Sequence, residues 1–345
     1  MTPFKDIPVA VADVLVLGGG LAGHRAAAAA RASGAAVAMA YHARGASQHV
    51  SGFNVPLGHA DPRDSADAYF EDMVRGGYAL NERRLVRALA DGAAGALAEL
   101  DAIGVPFARD GGKFAQRHLS GNTYARSVYH PNGIGKLALD RLAGYCKDNG
   151  VEAYAGWRAI ALLRDGADVV GALLVKRNTL ELLALHAGAT ILATGGIGAI
   201  YADSTYPADV AADSYAFAFD AGATLIDMEF VQFEPTVVVQ PEGCKGMEMP
   251  TAMFGDGAQL LNANGGRFMF GYNPGHGEMQ IEKARMSLCI QREIDEGRGL
   301  PDRSVLFDTT KMPADRLESY VPHCKRLRAA GLDPATNAPH VRRAG

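Results

Sequence analysis

The stretch DVLVLGGGLAG, residues 13–23, decides the fold of this 345-residue chain. Its first five residues are Asp13 and a run of four apolar residues, a pattern that is typical of a buried parallel strand, and the alanine-rich residues 21–33 favour a helix. Residues 36–41 then predict a second strand, which completes a strand–helix–strand unit of about thirty residues. The sequence therefore predicts an α/β fold built on a Rossmann-like domain.

The glycines of this stretch predict a dinucleotide site. Gly18 permits the tight turn, Gly20 lets a pyrophosphate approach the main chain, and Gly23 allows close packing of helix on strand. The N-terminus of the helix offers free N–H groups and the positive end of its dipole to a diphosphate. No Asp or Glu occurs between Gly23 and Asp61, whereas an NAD site would place one about twenty residues on for the ribose hydroxyls. An NADP site, with Arg44 at the 2′-phosphate, stays open as an alternative.

Composition narrows the class of protein. With 48% hydrophobic residues the chain can bury a large core, and a formal charge of −4 without a basic stripe argues against nucleic-acid binding. Its four cysteines, at positions 146, 244, 289 and 324, are too far apart for a redox pair or a zinc site, so we expect buried thiols and no metal. The first residues lack a charged leader followed by a long apolar run, and the apolar segment 189–200 is broken by glycines. We expect a cytoplasmic protein that is not itself inserted in a membrane.

Along the chain, residues 64–75 and 81–103 predict helices, and residues 166–175 with 181–186 predict a hairpin in a small β-layer. Residues 190–193 predict a further sheet strand. Beyond Pro241 the composition shifts to loops rich in Gly, Pro and Met, followed by a helix at about 278–296. We predict two domains, residues 1–238 and residues 239–345.

Several ordered motifs resemble the succinate dehydrogenase/fumarate reductase flavoproteins. They are GGGLAG (18–23), SGFN (51–54), ATGG (193–196), DMEFVQFEPT (227–236), NANGGRFM (262–269) and EIDEGRG (293–299). The resemblance implies an FAD-binding domain, residues 1–238, with an α+β capping domain and redox chemistry on a small organic acid. The chain stops where the family's capping domain returns to its flavin domain, so the return segment is absent and we expect a fragment of a longer protein.

Carried over position by position, the resemblance implies a set of cofactor contacts: Gly18, Gly19, Gly20, Leu21, Ala22, Gly23, Tyr41, His42, Ser47, Gly52, Asn54, Thr194, Gly195, Gly196 and Asp213. Many family members tether FAD through a histidine that directly follows a serine in this loop. Here Gln48 follows Ser47, and His49 comes one residue later. We therefore expect non-covalent FAD, with a shifted tether at His49 as the alternative.

The substrate positions depart from the family. Glu234 stands where the family usually has a substrate-binding histidine, and the positions aligned with its charged proton relay are Thr251, Phe254 and Leu288. An ionised carboxylate about 4 Å from a substrate carboxylate repels it by roughly 4 kcal/mol at an effective dielectric near 20, which disfavours succinate and fumarate. Glu234 is then either protonated by burial, paired with an amine, hydroxyl or arginine, or part of a structural salt bridge.

A displaced cation is one way to rebuild such a site. Arg285 and Arg292 lie three residues before and four after Leu288, so all three share a helix face. We predict Glu234 and Arg285 as catalytic residues, with a solvated helix face as the alternative for Arg285. The predicted function is hydride transfer between flavin N5 and a small carboxylic or amino-acid-like substrate, with an electron-transfer partner subunit as a further expectation. The alternatives are a catalytically silent flavin-binding subunit or truncated remnant of the family, and an NADP-linked dehydrogenase.

Overall fold

The structure is a computed structural model that describes residues 7–202, 204–211 and 213–344, the side chain of Asp213 excepted. Its strands in these ranges are β1 (Val9–Leu17), β2 (Val37–Tyr41), β3 (Gly52–Asn54), β4 (Arg109–Asp110), β5 (Lys113–Phe114), β6 (Gln116–Arg117), β7 (Ser127–Tyr129), β8 (Glu152–Ala155), β9 (Trp157–Asp165), β10 (Asp168–Lys176), β11 (Leu182–Leu192), β12 (Glu234–Gln240), β13 (Gln259–Leu261), β14 (Val305–Asp308) and β15 (His340–Ala344). Its helices are α1 (Leu21–Ala32), α2 (Ala66–Gly76), α3 (Arg83–Ala102), α4 (Ile134–Asp148), α5 (Asp213–Asp220), α6 (Ala252–Gly255), α7 (Met269–Tyr272), α8 (Lys283–Asp295), α9 (Ala314–Glu318) and α10 (Val321–Ala329).

A six-stranded sheet in the order β8-β2-β1-β11-β10-β9 forms the larger part of the fold. Strand β1 pairs in parallel with β2 and β11, and β2 pairs in parallel with β8. Residues 15–17 of β1 are almost fully buried, as expected for a parallel strand covered on both faces. The predicted Rossmann-like α/β fold is confirmed.

A single strand contains two segments that the sequence predicted separately. The predicted hairpin segment 181–186 and the predicted strand 190–193 are continuous in β11, which has 11 residues. It pairs with β10 in antiparallel fashion and with β1 in parallel along nearly its whole length. Gly188 stays extended inside it, with room for a Cβ no closer than 3.4 Å to the Asp13 carbonyl oxygen, so this glycine does not end the strand.

The predicted helices are present with shifted ends. The largest shift is at α8, which begins at Lys283 rather than near residue 278. Glu278 is fully buried, and its carboxylate accepts from the Leu260 amide at 2.9 Å and from the Arg267 guanidinium at 2.6 Å. These bonds hold the segment before α8 in a loop.

A second, antiparallel sheet in the order β12-β15-β14-β13 packs with helices α6 to α10 around its own apolar core. The methionines that punctuate its sequence are largely core residues, among them Met249, Met253 and Met286. Strand β12 crosses the predicted boundary between residues 238 and 239 and pairs with β15. The division into two domains at that boundary stays a prediction.

Two further sequence expectations concern cysteines and membranes. All four cysteines are buried, and none forms a disulfide. Among the residues that the structure describes, the helices are too short or too polar to cross a bilayer.

Candidate functional site

The glycine-rich turn lies between β1 and α1 and is shaped by close backbone packing. A Cβ on Gly18, whose φ is +124°, would lie 2.2 Å from the Ala193 carbonyl oxygen. One on Gly23 would lie 1.9 Å from the Gly18 carbonyl oxygen. Both glycines are therefore required by the approach of helix and strands, as the sequence predicted.

The start of α1 is open toward a cavity of about 380 Å³, which we call the nucleotide cavity. The Leu21 amide donates to the Ser47 hydroxyl oxygen at 3.2 Å, which satisfies one of the first N–H groups of the helix. The predicted contacts that line this cavity are Gly18, Gly19, Gly20, Ala22, Tyr41, His42, Ser47, Thr194, Gly195 and Gly196. Ten predicted residues from four separate stretches thus meet at one place.

The other predicted cofactor contacts lie elsewhere. Leu21 and Gly23 support the turn from within the fold, and Asn54 lines a second cavity. Gly52 pairs with Tyr129 in the β3–β7 ladder, where a Cβ would lie 2.3 Å from the Ser127 hydroxyl, so packing alone explains this glycine. The side chain of Asp213 lies outside the described residues.

Sequence reasoning missed the wall contributed by β9. Trp157 and Arg158 line the nucleotide cavity because the Gly156 amide donates to the Tyr41 carbonyl at 2.8 Å and holds the start of β9 beside the end of β2. The only signal in the sequence is that Trp157 is the single tryptophan of the chain. Arg44, the candidate for an NADP phosphate, instead forms an ion pair with Asp140, Nη1 to Oδ1 2.7 Å.

The lining of the nucleotide cavity suits the diphosphate of a dinucleotide. Glycine backbone and the N-terminus of α1 face it, and a Cβ at Gly20 would come within 3.0 Å of the Ser47 hydroxyl and narrow the groove. Gly196 and Tyr206 also line the second cavity, so the two cavities meet there. A ligand with its diphosphate at α1 can extend from one cavity toward the other.

The second cavity has a volume of about 840 Å³ and an acidic wall. The ionisable acids in its lining are Asp72, Asp227, Glu229, Glu234 and Glu282, whereas Lys283 is the sole cation there among the residues that the structure describes. The charge of one of these acids, Asp72, is compensated inside the protein. Arg126 is fully buried between Asp64 and Asp72, with an N–O distance of 2.8 Å to each carboxylate.

Glu234 and Lys283 form a partly buried ion pair in this cavity. Lys283 Nζ lies 2.5 Å from Glu234 Oε2 and 3.5 Å from Glu248 Oε1. Only 6% of Glu234 is exposed, and its Oε1 atom has no hydrogen-bond partner in the described part of the chain. Burial raises the pKa of Glu234 to about 7, with Lys283 opposing the shift and Glu248 adding to it.

The lysine of this pair was missed from sequence, although pairing of Glu234 with an amine was one predicted outcome. Lys283 is the first residue of α8 and shares a helix face with Ser287, whose hydroxyl lies 3.3 Å from the Phe233 carbonyl oxygen. That face points to β12. The pKa of Lys283 is raised, since its two carboxylate neighbours outweigh the effect of burial.

The face of α8 that carries Arg285 and Leu288 points away from the cavity. Leu288 is 65% exposed, and Arg285 is also exposed, with its guanidinium 3.4 Å from the Tyr272 carbonyl oxygen. Of the other relay positions, Thr251 lines the second cavity and Phe254 lies in the core around the second sheet. The structure therefore brings Glu234 to the cavity and leaves Arg285 outside its lining. A catalytic role for Arg285 stays a prediction.

Comparison with known proteins agrees with this geometry. A family model described as FAD binding domain matches residues 13–343. The chain is 38% identical over 268 residues to a subunit of the fumarate reductase (CoM/CoB) of Methanothermobacter marburgensis, covering 77% of this chain and 49% of that protein. It is 29% identical over 270 residues to L-aspartate oxidase of Synechocystis, covering 77% and 48%.

Solved structures show the same fold. A mutant of the E. coli quinol fumarate reductase FrdA superimposes with a TM-score of 0.87 at 26% identity, covering 98% of this chain and 60% of that chain. Mycobacterium smegmatis Sdh1 in complex with UQ1 gives a TM-score of 0.77 at 29% identity, covering 98% and 59%. The chain spans about half the length of the curated relatives given above. With its glycine turn, nucleotide cavity and family match over residues 13–343, the chain belongs to the FAD-binding flavoprotein family of succinate dehydrogenase and fumarate reductase.

Proposed function

We propose that this chain is the flavin-binding part of an oxidoreductase that acts on a small organic acid or amino-acid-like substrate in the second cavity. The observation that carries the proposal is the Lys283–Glu234 pair in a cavity that meets the nucleotide cavity at Gly196 and Tyr206. A charged pair of this kind beside a cofactor groove is a candidate for substrate binding and proton handling.

The cofactor and the protein divide the chemistry. Bound FAD supplies hydride transfer at N5, and the protein supplies placement and proton handling. In the nucleotide cavity, the backbone N–H groups at the start of α1 would hold the diphosphate of this cofactor. In the second cavity, Lys283 provides the positive charge that holds an acid substrate, and Glu234, with a pKa of about 7, can hold or release a proton near neutral pH.

The charges of the second cavity favour a substrate with one carboxylate. Lys283 is the one cation in the described lining, and it already has Glu234 and Glu248 as neighbours. A second carboxylate would face an acidic wall without a counter-ion, so succinate and fumarate are disfavoured. An amine or hydroxyl on the substrate would meet acceptors on that wall. The relative named L-aspartate oxidase supports the amino group of such a substrate and not its single carboxylate, because aspartate is itself a dicarboxylate.

FAD is proposed to be non-covalent because Ser47 is followed by Gln48, whose amide donates to the Gly45 carbonyl oxygen at 3.4 Å. Acid precipitation of the loaded protein should leave a colourless pellet and a yellow supernatant. A yellow pellet would instead indicate a tether, with His49 as the first residue to test.

An electron-transfer partner is a further part of the proposal. The Methanothermobacter relative is named as one subunit of a fumarate reductase, and a Wolinella succinogenes relative is named as the flavoprotein subunit of an 8-methylmenaquinol:fumarate reductase. By analogy with these names, this chain would pass electrons to or from a second subunit. Co-purification of the chain with its genomic neighbours would identify that subunit.

Reoxidation of the reduced protein tests the proposal. Protein loaded with FAD is reduced with dithionite under argon and mixed with a panel of enoates and imino acids, while the flavin absorption is followed. We expect at least one monocarboxylate of the panel to accelerate reoxidation, and Lys283→Met to remove that acceleration. If no member of the panel acts, a silent flavin-binding subunit becomes the better account.

A further inference from the structure

We propose that a carboxylate ligand takes the place of Glu234 at Lys283, and that binding of this ligand is coupled to the uptake of one proton by Glu234. The inference rests on the proposed function, since it concerns the same cavity. It adds that the pair is an exchangeable ion pair whose protonation state controls when an acid can bind.

The geometry leaves Lys283 reachable and Glu234 enclosed. The lysine side chain is 32% exposed, and that of Glu234 is 7% exposed. A ligand that reaches the ammonium group must therefore approach from the side of the cavity, next to Glu234 Oε2. Two ionised carboxylates at that separation repel each other strongly in a site of low dielectric.

Protonation of Glu234 removes this repulsion, and the side chain can still contact the ligand. A neutral Glu234 no longer competes for Lys283, and its carboxylic O–H can donate to the ligand carboxylate. Proton uptake balances the charge, because the ligand brings one negative charge and the proton one positive charge. The site, counting Lys283, Glu234 and the ligand, therefore has the same net charge before and after binding.

The neighbouring charges identify Glu234 as the group that takes up the proton. Lys283 approaches it from α8, and Glu248 lies across the ammonium group at 3.5 Å with 43% of its side chain exposed. On β15, which pairs with β12, Arg343 donates to Gln291 at 2.8 Å and its guanidinium lies over the Phe233 ring. Burial raises the pKa of Glu234 to about 7, and a ligand carboxylate beside it would raise this pKa further.

The direction of the pH effect follows from linkage. Below the pKa of about 7 in the free protein, Glu234 already holds its proton, so the Kd for a carboxylate is constant. Above it, binding requires proton uptake, and the Kd rises about tenfold for each pH unit until the pKa of the complex is reached.

Acrylate and its neutral isostere acrylamide are suitable probes for the oxidised, FAD-loaded chain. Their Kd values are measured by equilibrium dialysis from about pH 6 to about pH 9, and proton uptake is measured by calorimetry in two buffers of different ionisation enthalpy. For the wild type we expect the tenfold slope with acrylate and no slope with acrylamide. Glu234→Gln should bind acrylate without a slope, whereas Glu248→Gln should keep it.

Lys283→Met should weaken acrylate binding at least about tenfold at every pH, and Lys283→Arg should retain binding. The inference is overturned if the wild-type Kd is independent of pH, if Glu234→Gln keeps the slope, or if acrylate does not bind. A flat Kd together with reoxidation by an acid overturns only this inference. A pH-dependent Kd without any reoxidation overturns only the proposed function.

Discussion

The nucleotide cavity is shaped mainly by backbone atoms, whereas the second cavity is shaped mainly by charged side chains. Around the first, the decisive features are backbone: Gly18 and Gly23 allow close approach, and the start of α1 presents N–H groups. Around the second, they are charged side chains, namely the Lys283–Glu234 pair and the buried Arg126.

This difference shows how one part of a family fold can change while another stays constant. The turn at Gly18 and Gly23 with the start of α1, which we call the backbone cradle, depends on glycines that few other residues can replace. A chain that keeps this glycine pattern therefore keeps the site for the same ligand. A site made of charged side chains can be rebuilt by substituting a few residues, provided each buried charge keeps a partner. Variants should therefore act on one cavity and spare the other.

The largest effect is expected from Arg126→Met, which tests the charged region. The substitution leaves Asp64 and Asp72 buried without their shared cation, which should lower the free energy of unfolding by about 3–5 kcal/mol. Urea denaturation measures this loss. Arg25→Met, which breaks an exposed pair with Glu99, is the control and should change stability by less than about 1 kcal/mol. Equal losses in the two variants would contradict the importance of burial.

Gly23→Ala is the corresponding test of the backbone cradle. The new Cβ would meet the Gly18 carbonyl oxygen at 1.9 Å, so the turn must shift. Overpacking of this kind costs about 3 kcal/mol. Because FAD binds the unshifted turn, this cost should weaken FAD binding by roughly 100-fold. Gly144→Ala in α4, where a Cβ meets no atom within 4 Å, is the matched control and should leave FAD affinity unchanged. Normal FAD binding by Gly23→Ala would show that the close packing at Gly23 is not needed for the FAD site.

How much of this the sequence could predict follows the same division. The glycine pattern and the apolar strand predict the turn at the start of α1, because backbone requirements are local in sequence. The other expected contacts in the first cavity came from the family resemblance, and the wall formed by Trp157 and Arg158 was missed. Lys283 was not predicted as the partner of Glu234, since the two are 49 residues apart and meet only through the packing of α8 on β12. Helical spacing predicts that Arg285 and Leu288 share a helix face. Spacing alone does not tell which face of the helix is buried.

A smaller effect is expected in the pH dependence of stability. The pKa of Glu234 is raised from 4.5 to about 7, so between these values the folded state holds a proton that the unfolded state has lost. The stabilisation from this group is present below pH 4.5 and is lost as the pH rises through 7. Relative to Glu234→Gln, the wild type should lose just under ~3 kcal/mol over this window, measured by thermal unfolding. A constant difference between the two proteins would mean that the pKa of Glu234 is the same in the folded and the unfolded chain.

The smallest effect concerns the first turn of α1. Ser47→Ala removes the acceptor for the Leu21 amide and should cost about 1 kcal/mol of unfolding free energy. Ser33→Ala at the other end of the same helix, where the hydroxyl makes only an exposed bond to the Ala30 carbonyl, is the control. If the two variants are equally stable, Ser47 does not cap the helix.

The fluorescence of Trp157 tests directly whether the groove at α1 holds FAD. This residue is the only tryptophan of the chain and lies in the wall of the nucleotide cavity, so its emission reports on that cavity alone. Titration of flavin-free protein with FAD should quench this emission to saturation, and Gly23→Ala should shift the titration to roughly 100-fold higher FAD concentrations, whereas NADPH should have no effect. Quenching by NADPH with no response to FAD would show that this groove holds a nicotinamide cofactor and not FAD.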